Sequence, residues 1–288
     1  MKIAAYSTAL YSTWIFIEEL RLLFDAGDGV AAALEGKGRK AKTVALSHSD
    51  RDHVTGLLQL QQLHARHNGL RVLYPADSRG IPLFAEFCSR FDPWAGPYVN
   101  WERVLPDERV GLEGDLVLIP VPNTHIPGKG IRSLGYKVVR RVRKLKPELV
   151  GTPGELLATM DREETTDEIE RPVLAFSGDT GPMDPSEWID QPILIHEATF
   201  LRQSDVERGP ERTQLHSCLD EVLDLARAAK PERLVLTHLS PRYHEDEARQ
   251  VIAQMAEEMR LESPIWLVPP SRVVWDVFAE PRVWDGVQ

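Results

Sequence analysis

Cysteine is almost missing from this chain, and the two that occur, Cys88 and Cys218, stand alone with no CxxC pair. Neither a disulfide framework nor a thiolate zinc site is suggested, so any transition metal bound here must be held by histidine and carboxylate. Long apolar runs are missing too. The longest are strand-sized, such as 116–121 and 193–195, whereas a bilayer-spanning helix needs roughly 20 apolar residues. The opening MKIAAYSTALYSTWIFIEEL has no basic stretch followed by an unbroken apolar one and a small-residue cleavage site. A secretory signal is therefore not expected, and the sequence reads as a soluble cytoplasmic protein with no membrane partner. Positive charge is also scarce: 34 Lys and Arg against 44 Asp and Glu leave a formal charge of −10, which argues against a surface built throughout to bind polyanions. The local exception is Arg140, Arg141, Arg143, Lys144 and Lys146. Such a run is more often a solvated face than a docking site.

What is present suits one domain over residues 1–288: 42% apolar residues can bury a sizeable core, and prolines and glycines are scattered rather than gathered into a linker. Short β-rich runs are expected at 14–17, 22–24, 43–46, 71–74, 116–121, 133–139, 173–176, 193–195, 234–236 and 265–268, with helical patterns at 54–67, 81–90, 215–229 and 245–260. Strands at both ends interleaved with helices predict a layered α/β architecture. The acidic stretch 160–170 is polar and aperiodic and is expected to form an exposed loop.

Chemistry gathers where these strands end. After 43–46 comes SHSDRDH, with His48, Asp50, Asp52 and His53 within six residues; after 116–121 comes His125, after 173–176 Asp179 in SGDTG, and after 234–236 His238 in THLSPRYH. Ligands at the carboxyl ends of neighbouring strands converge on one sheet edge, where layered α/β proteins commonly hold their sites. A lone histidine or aspartate there is usually a cap or turn residue, and Asp179 by itself could make an Asx turn; four segments together point to a catalytic metal site. Imidazole and carboxylate suit zinc and similar ions, and two ions about 3.5–4 Å apart could hold a bridging hydroxide for an in-line displacement. His64 and His67 are expected to face solvent, and His244 has no assigned role.

The motifs LFDAGDG, SHSDRDHVTGL, NTHIPGKGIRSLGYKV, FSGDTG, LIHEATF, LHSCLDEVLDLA and LTHLSPRY extend over nearly the whole chain. In them it resembles the metallo-β-lactamase superfamily and, within it, ribonuclease Z, the endonuclease that removes the 3′ trailer of transfer RNA precursors. The resemblance implies a four-layer αββα sandwich, two mixed sheets flanked by helices. It implies that His48, Asp50 and His125 ligate one divalent ion, that Asp52, His53 and His238 ligate a second, and that Asp179 bridges them. The ions would be zinc, with manganese as the alternative. Asp52 would also orient the bridging hydroxide, His216 would assist the leaving oxygen, and Glu197 would orient His216, while His196 packs beneath the site. An ordinary position at a helix start is the other reading of His216. The implied substrate is a transfer RNA precursor or other RNA, and the implied assembly a homodimer. A hydrolase of small cyclic phosphodiesters would share every ligand; a thioester or lactone hydrolase and a non-catalytic binding module are further alternatives.

The chain departs from the family pattern in three places. Asp50 stands where the family's first motif usually has a second histidine, which adds negative charge, makes a bound hydroxide less acidic and favours a harder ion. STALYST replaces the Gly-rich N-terminal signature, and 140–157 is shorter than the basic Gly/Pro-rich arm of many members, as in the compact short forms.

Overall fold

A computed structural model describes residues 1–65, 69–206 and 214–287. It contains two mixed sheets. The first has strands β1 (Ile3–Thr8), β2 (Ser12–Ile17), β3 (Leu22–Phe24), β4 (Thr43–Ala45), β5 (Leu70–Pro75) and β6 (Val99–Val104), side by side in that order. The second runs from β13 (Ile265–Leu267) through β12 (Leu234–Thr237), β11 (Leu194–Glu197), β10 (Thr166–Phe176), β9 (Leu134–Leu145) and β8 (Leu116–Pro122) to β7 (Val110–Gly111). β3 to β6 are mutually parallel, as are β10 to β13, while the remaining pairings are antiparallel.

Alternation along each strand divides the core into layers, because successive side chains leave opposite faces. Ile15, Ile17, Leu22 and Phe24 meet Leu118, Tyr136, Leu174 and Phe176 between the sheets. Trp14, Phe16 and Leu23 point the other way, onto the helices Val30–Leu34 and Leu57–His64. The outer face of the second sheet packs Leu194, Leu234 and Leu236 against the helices Leu219–Ala229 and Glu245–Glu258. This is the expected αββα sandwich. No described helix is long and apolar enough to cross a membrane.

Several sequence expectations are corrected. The stretch 160–170 is a short helix, Arg162–Thr165, followed by the first half of β10. Its acids are laid against the basic run of β9: Asp167 pairs with Lys144, Glu168 with Arg143 and Glu170 with Arg141. Opposite charges across a strand pair stabilise what composition alone marks as a loop. The expected helix 54–67 is two helices, Arg51–Val54 and Leu57–His64; between them Gly56 keeps helical dihedrals but donates its N–H to the Ala26 carbonyl at 2.9 Å, and its missing side chain lets it press on the Gly27 carbonyl. His64 does not face solvent; it is buried with Nε2 against the Gly38 carbonyl at 3.1 Å, while His67 lies outside the described residues. The helix expected from 215 starts at Leu219, capped by Cys218 and Glu221. Strands β1, β6 and β7 were not anticipated.

Candidate metal centre

The chain direction within each sheet places the carboxyl ends of β4, β8, β10, β11 and β12 along one edge of the sandwich. The polar residues that follow them meet there. Asp50 Oδ2 lies 3.7 Å from His48 Nε2 and 3.5 Å from His125 Nε2. Asp52 Oδ2 lies 3.4 Å from His53 Nε2 and 3.8 Å from His238 Nε2. Between these two groups sits Asp179, whose Oδ2 is 3.2 Å from both His53 and His238 Nε2 and 3.9 Å from His48 Nε2. Asp179 can stand there because Gly178 precedes it with φ +61°; a Cβ at Gly178 would come within 2.8 Å of the Leu134 carbonyl oxygen and 2.9 Å of Ser47 Cβ.

Behind the imidazoles lies a second ring of groups that fixes their protons. Ser47 Oγ donates to Asp25 Oδ2 at 2.8 Å, so it accepts from His48 Nδ1 at 2.9 Å. Asp25 Oδ2 also accepts from His53 Nδ1 at 2.9 Å. Thr199 Oγ1 donates to Glu197 at 2.6 Å and so accepts from His238 Nδ1 at 2.9 Å, while His125 Nδ1 donates to the Leu215 carbonyl at 3.0 Å. In all four rings the proton is therefore on Nδ1, leaving the Nε2 lone pair aimed inward, as metal-ligating histidines require. The Nε2 atoms of His48, His53 and His238 are buried with no hydrogen-bond partner. Such an arrangement of orphaned lone pairs and carboxylates fits divalent cations.

The electrostatics agree. Burial alone would raise the pKa of Asp179, but His238, His53 and His48 hold its carboxyl well below the usual carboxylate range. Burial likewise opposes a charge on His53, and Asp179 and Asp25 outweigh it and raise its pKa. Asp179 and Asp25 thus draw positive charge, as protons or as cations that compete with them, whereas burial together with His53 and His125 holds the His48 pKa well below the usual imidazole range and keeps that ring a neutral ligand.

Beside the cluster, Glu197 ends β11 fully buried. Its Oε1 accepts from Thr180 N at 2.8 Å and from His216 Nδ1 at 3.0 Å. Burial pushes the His216 pKa down, but the Glu197 charge and hydrogen bond lift it to about 9. His216 is thus protonated at neutral pH, with its Nε2 proton available. Gln214 holds the segment by donating to the His216 carbonyl at 2.9 Å and to Glu221 at 2.6 Å. A cavity of about 100 Å³ has Asp50, Asp52, His125, Asp179, His216 and His238 in its walls. His196 lies beneath, buried, with Nδ1 against the Glu197 carbonyl at 2.7 Å.

The structure brings together His48, Asp50, Asp52, His53, His125, Asp179, Glu197, His216 and His238, and leaves His244 as the residue ahead of the last helix. Asp25, Ser47 and Thr199 had been given no role by the sequence. Asp25 alone carried a signal, an aspartate directly after a buried strand in LFDAGDG.

Comparison with solved structures places this architecture among metallo-β-lactamase folds. YhfI of Bacillus subtilis, a metallo-β-lactamase fold protein, superposes with a TM-score of 0.65 at 15% identity, over 95% of this chain and 98% of that one. The short form of human tRNase Z gives 0.62 at 18% identity, over 95% and 98%. Zinc-bound PqqB of Methylobacterium extorquens gives 0.60 at 12% identity, over 95% and 99%. Fold and site together define a metal-dependent hydrolase of the metallo-β-lactamase fold. No family model matches the chain, but sequence relatives narrow the assignment. Ribonuclease Z of Pyrobaculum calidifontis is 30% identical over 264 residues, spanning 82% of each chain. The chloroplastic tRNase Z TRZ2 of Arabidopsis thaliana is 25% identical over 272 residues, spanning 89% of this chain and 72% of its own. The chain belongs to the ribonuclease Z family.

Proposed function

We propose that this enzyme removes the 3′ trailer of transfer RNA precursors by hydrolysing one phosphodiester. In this reading His48, Asp50 and His125 hold one divalent ion, Asp52, His53 and His238 hold a second, and Asp179 lies between them. The observation that carries it is the set of imidazole Nε2 lone pairs turned inward around Asp179, each fixed by a partner on Nδ1. Zinc suits such donors, and the carboxylate of Asp50 opens the site to manganese as well. When bound, two such ions lower the pKa of water toward about 7 and offset charge on the phosphate.

The residues do the rest. Asp52 orients the attacking water by accepting its hydrogen bond. His216, held protonated by Glu197, donates from Nε2 to the departing oxygen, the usual work of a general acid whose pKa lies above the operating pH. Its proton is not lost to Glu197, because that carboxylate is itself held down by His216 against burial and is occupied by Thr180 and Thr199.

A homodimer in the cytoplasm completes the reading. Leu83, Phe87, Phe91 and Trp94 form an exposed row on and just after the helix Gly80–Phe91, with Phe87 stacked on Phe91 at 5.6 Å. Such a row of exposed large apolar side chains is the kind of surface that a second copy of the chain would cover.

The test is cleavage of a 3′-extended precursor with zinc or manganese. We expect product from the native chain and none from Asp179→Ala; no product from the native chain with either ion would remove the transfer RNA claim. The ion pairs of Arg140 with Asp115 and of Arg141 with Glu168 and Glu170 favour a second reading, a small phosphodiester as substrate. RNA affinity should fall steeply with salt, whereas turnover of a small substrate should change little.

A further inference from the structure

We propose that Leu10 is a substrate-recognition residue, its side chain forming the apolar wall against which the nucleobase beside the scissile phosphate packs. The proposal rests on the phosphodiesterase reading above and adds a subsite to it.

Leu10 is in the wrong place for ordinary folding reasons. The β1–β2 hairpin pairs Thr8 with Ser12, and Tyr11 N donates to the Thr8 carbonyl at 3.1 Å. Leu10 is the third residue of that turn and has φ +70°. Glycine or asparagine ordinarily takes such a position, since a Cβ there crowds the backbone. Leu10 also gains nothing by burial, being 86% exposed. A strained backbone that carries an apolar side chain into water invites a functional explanation.

Its surroundings supply one. Ala9 and Leu10 form one rim of the cavity that has Asp52, Asp179 and His216 in its walls. The rim is tied to the metal cluster, because Ala9 N donates to the carbonyl of Leu239, the residue after His238. The same cavity is lined by Phe200 and Arg242, the guanidinium lying over the Phe200 ring at 5.5 Å with Nε donating to Ser240 Oγ at 3.0 Å. An apolar wall and an anchored cation in one cavity complement a nucleotide, whose flat base is apolar on its faces and whose phosphate is anionic. The carboxylates and imidazoles of the same cavity serve the scissile phosphate.

The experiment compares the native full-length chain with Leu10→Gly, Leu10→Asn and Leu10→Phe. Three quantities are measured: the melting temperature, steady-state cleavage of a 3′-extended precursor, and metal-free binding of a fluorescein-labelled 3′-extended acceptor-stem RNA by anisotropy. Glycine and asparagine accept a positive φ, so those variants should melt no lower than the native chain. Both should bind the RNA about tenfold more weakly, with the loss appearing in KM rather than kcat. Leu10→Phe, which keeps an apolar wall, should bind as tightly as the native chain. Native RNA affinity and KM in both Leu10→Gly and Leu10→Asn would overturn the role of Leu10. Failure of the native chain to cut the precursor would instead overturn the proposed reaction, and the metal-free binding comparison would still read Leu10 by itself.

Discussion

Replacing Asp25 by asparagine should damage metal binding far more than it damages the fold. Asp25 and His53 are both fully buried. Asp25 Oδ1 accepts from Ser47 N at 2.7 Å, and Oδ2 accepts from Ser47 Oγ at 2.8 Å and His53 Nδ1 at 2.9 Å. Asparagine has the same shape and can keep the bond from Ser47 N, but its amide then presents hydrogens to His53 Nδ1. That nitrogen must accept, so the imidazole proton moves to Nε2, the atom that faces Asp52 and Asp179. The lone pair needed for a cation is lost while the packing survives. Loss of an outer-shell partner typically lowers metal affinity about 10–100-fold, or about 1.4–2.7 kcal/mol, and the tautomer switch puts Asp25→Asn at the upper end. Asp25→Ala should also lose metal, and in addition cost about 3–5 kcal/mol by leaving its buried partners unpaired. For a chain of this size that is on the order of 10 °C in Tm. Chelator competition measures the affinity, and thermal melting of the metal-free protein measures the fold. An Asp25→Asn variant that binds zinc as tightly as the native chain would refute the tautomer argument.

Two further outcomes are expected. The folded pKa of His216, raised from 6.5 to about 9, means that its contribution to stability is fully present below about 6.5 and is lost as pH climbs through about 9. Metal-free native protein should therefore melt progressively lower over that window relative to Glu197→Gln, and parallel profiles for the two would contradict the pairing. Phe87→Glu combined with Phe91→Glu places charge in the exposed row of the helix Gly80–Phe91 and should yield monomers in sedimentation equilibrium with little change in Tm. A native chain that is already monomeric at micromolar concentration would remove the proposed dimer.

How much of this was legible beforehand depends on how far each cause acts along the chain. Short unbroken runs of apolar and β-branched residues marked β2, β3 and the strands leading into the four clusters, because strands covered on both faces are apolar at successive residues. β1 carries no such signal, since Ala4, Ala5 and Ser7 are small and its partner must supply the pattern. The acids of β10 read as a loop for a related reason: what stabilises them is the basic stretch of β9, and only the pairing of those strands brings Glu168 opposite Arg143. His64 looked like a surface residue because its helix periodicity says nothing of the Gly38 carbonyl waiting across the fold.

The sequence by itself determined the kinds of chemistry available, the order of the elements and the turns from which His48, His125, Asp179 and His238 project. Pairing of β3 with β4 decided that Ser47 lies between Asp25 and His48, pairing of β11 with β12 decided that Thr199 joins Glu197 to His238, and the packing of one sheet on the other decided that Leu10 rims the cavity. Backbone geometry is a local property, written in neighbouring residues. The direction in which a buried proton points is settled by an acceptor that can be dozens of residues away in the chain and under 3 Å away in space, as Asp25 is from His53.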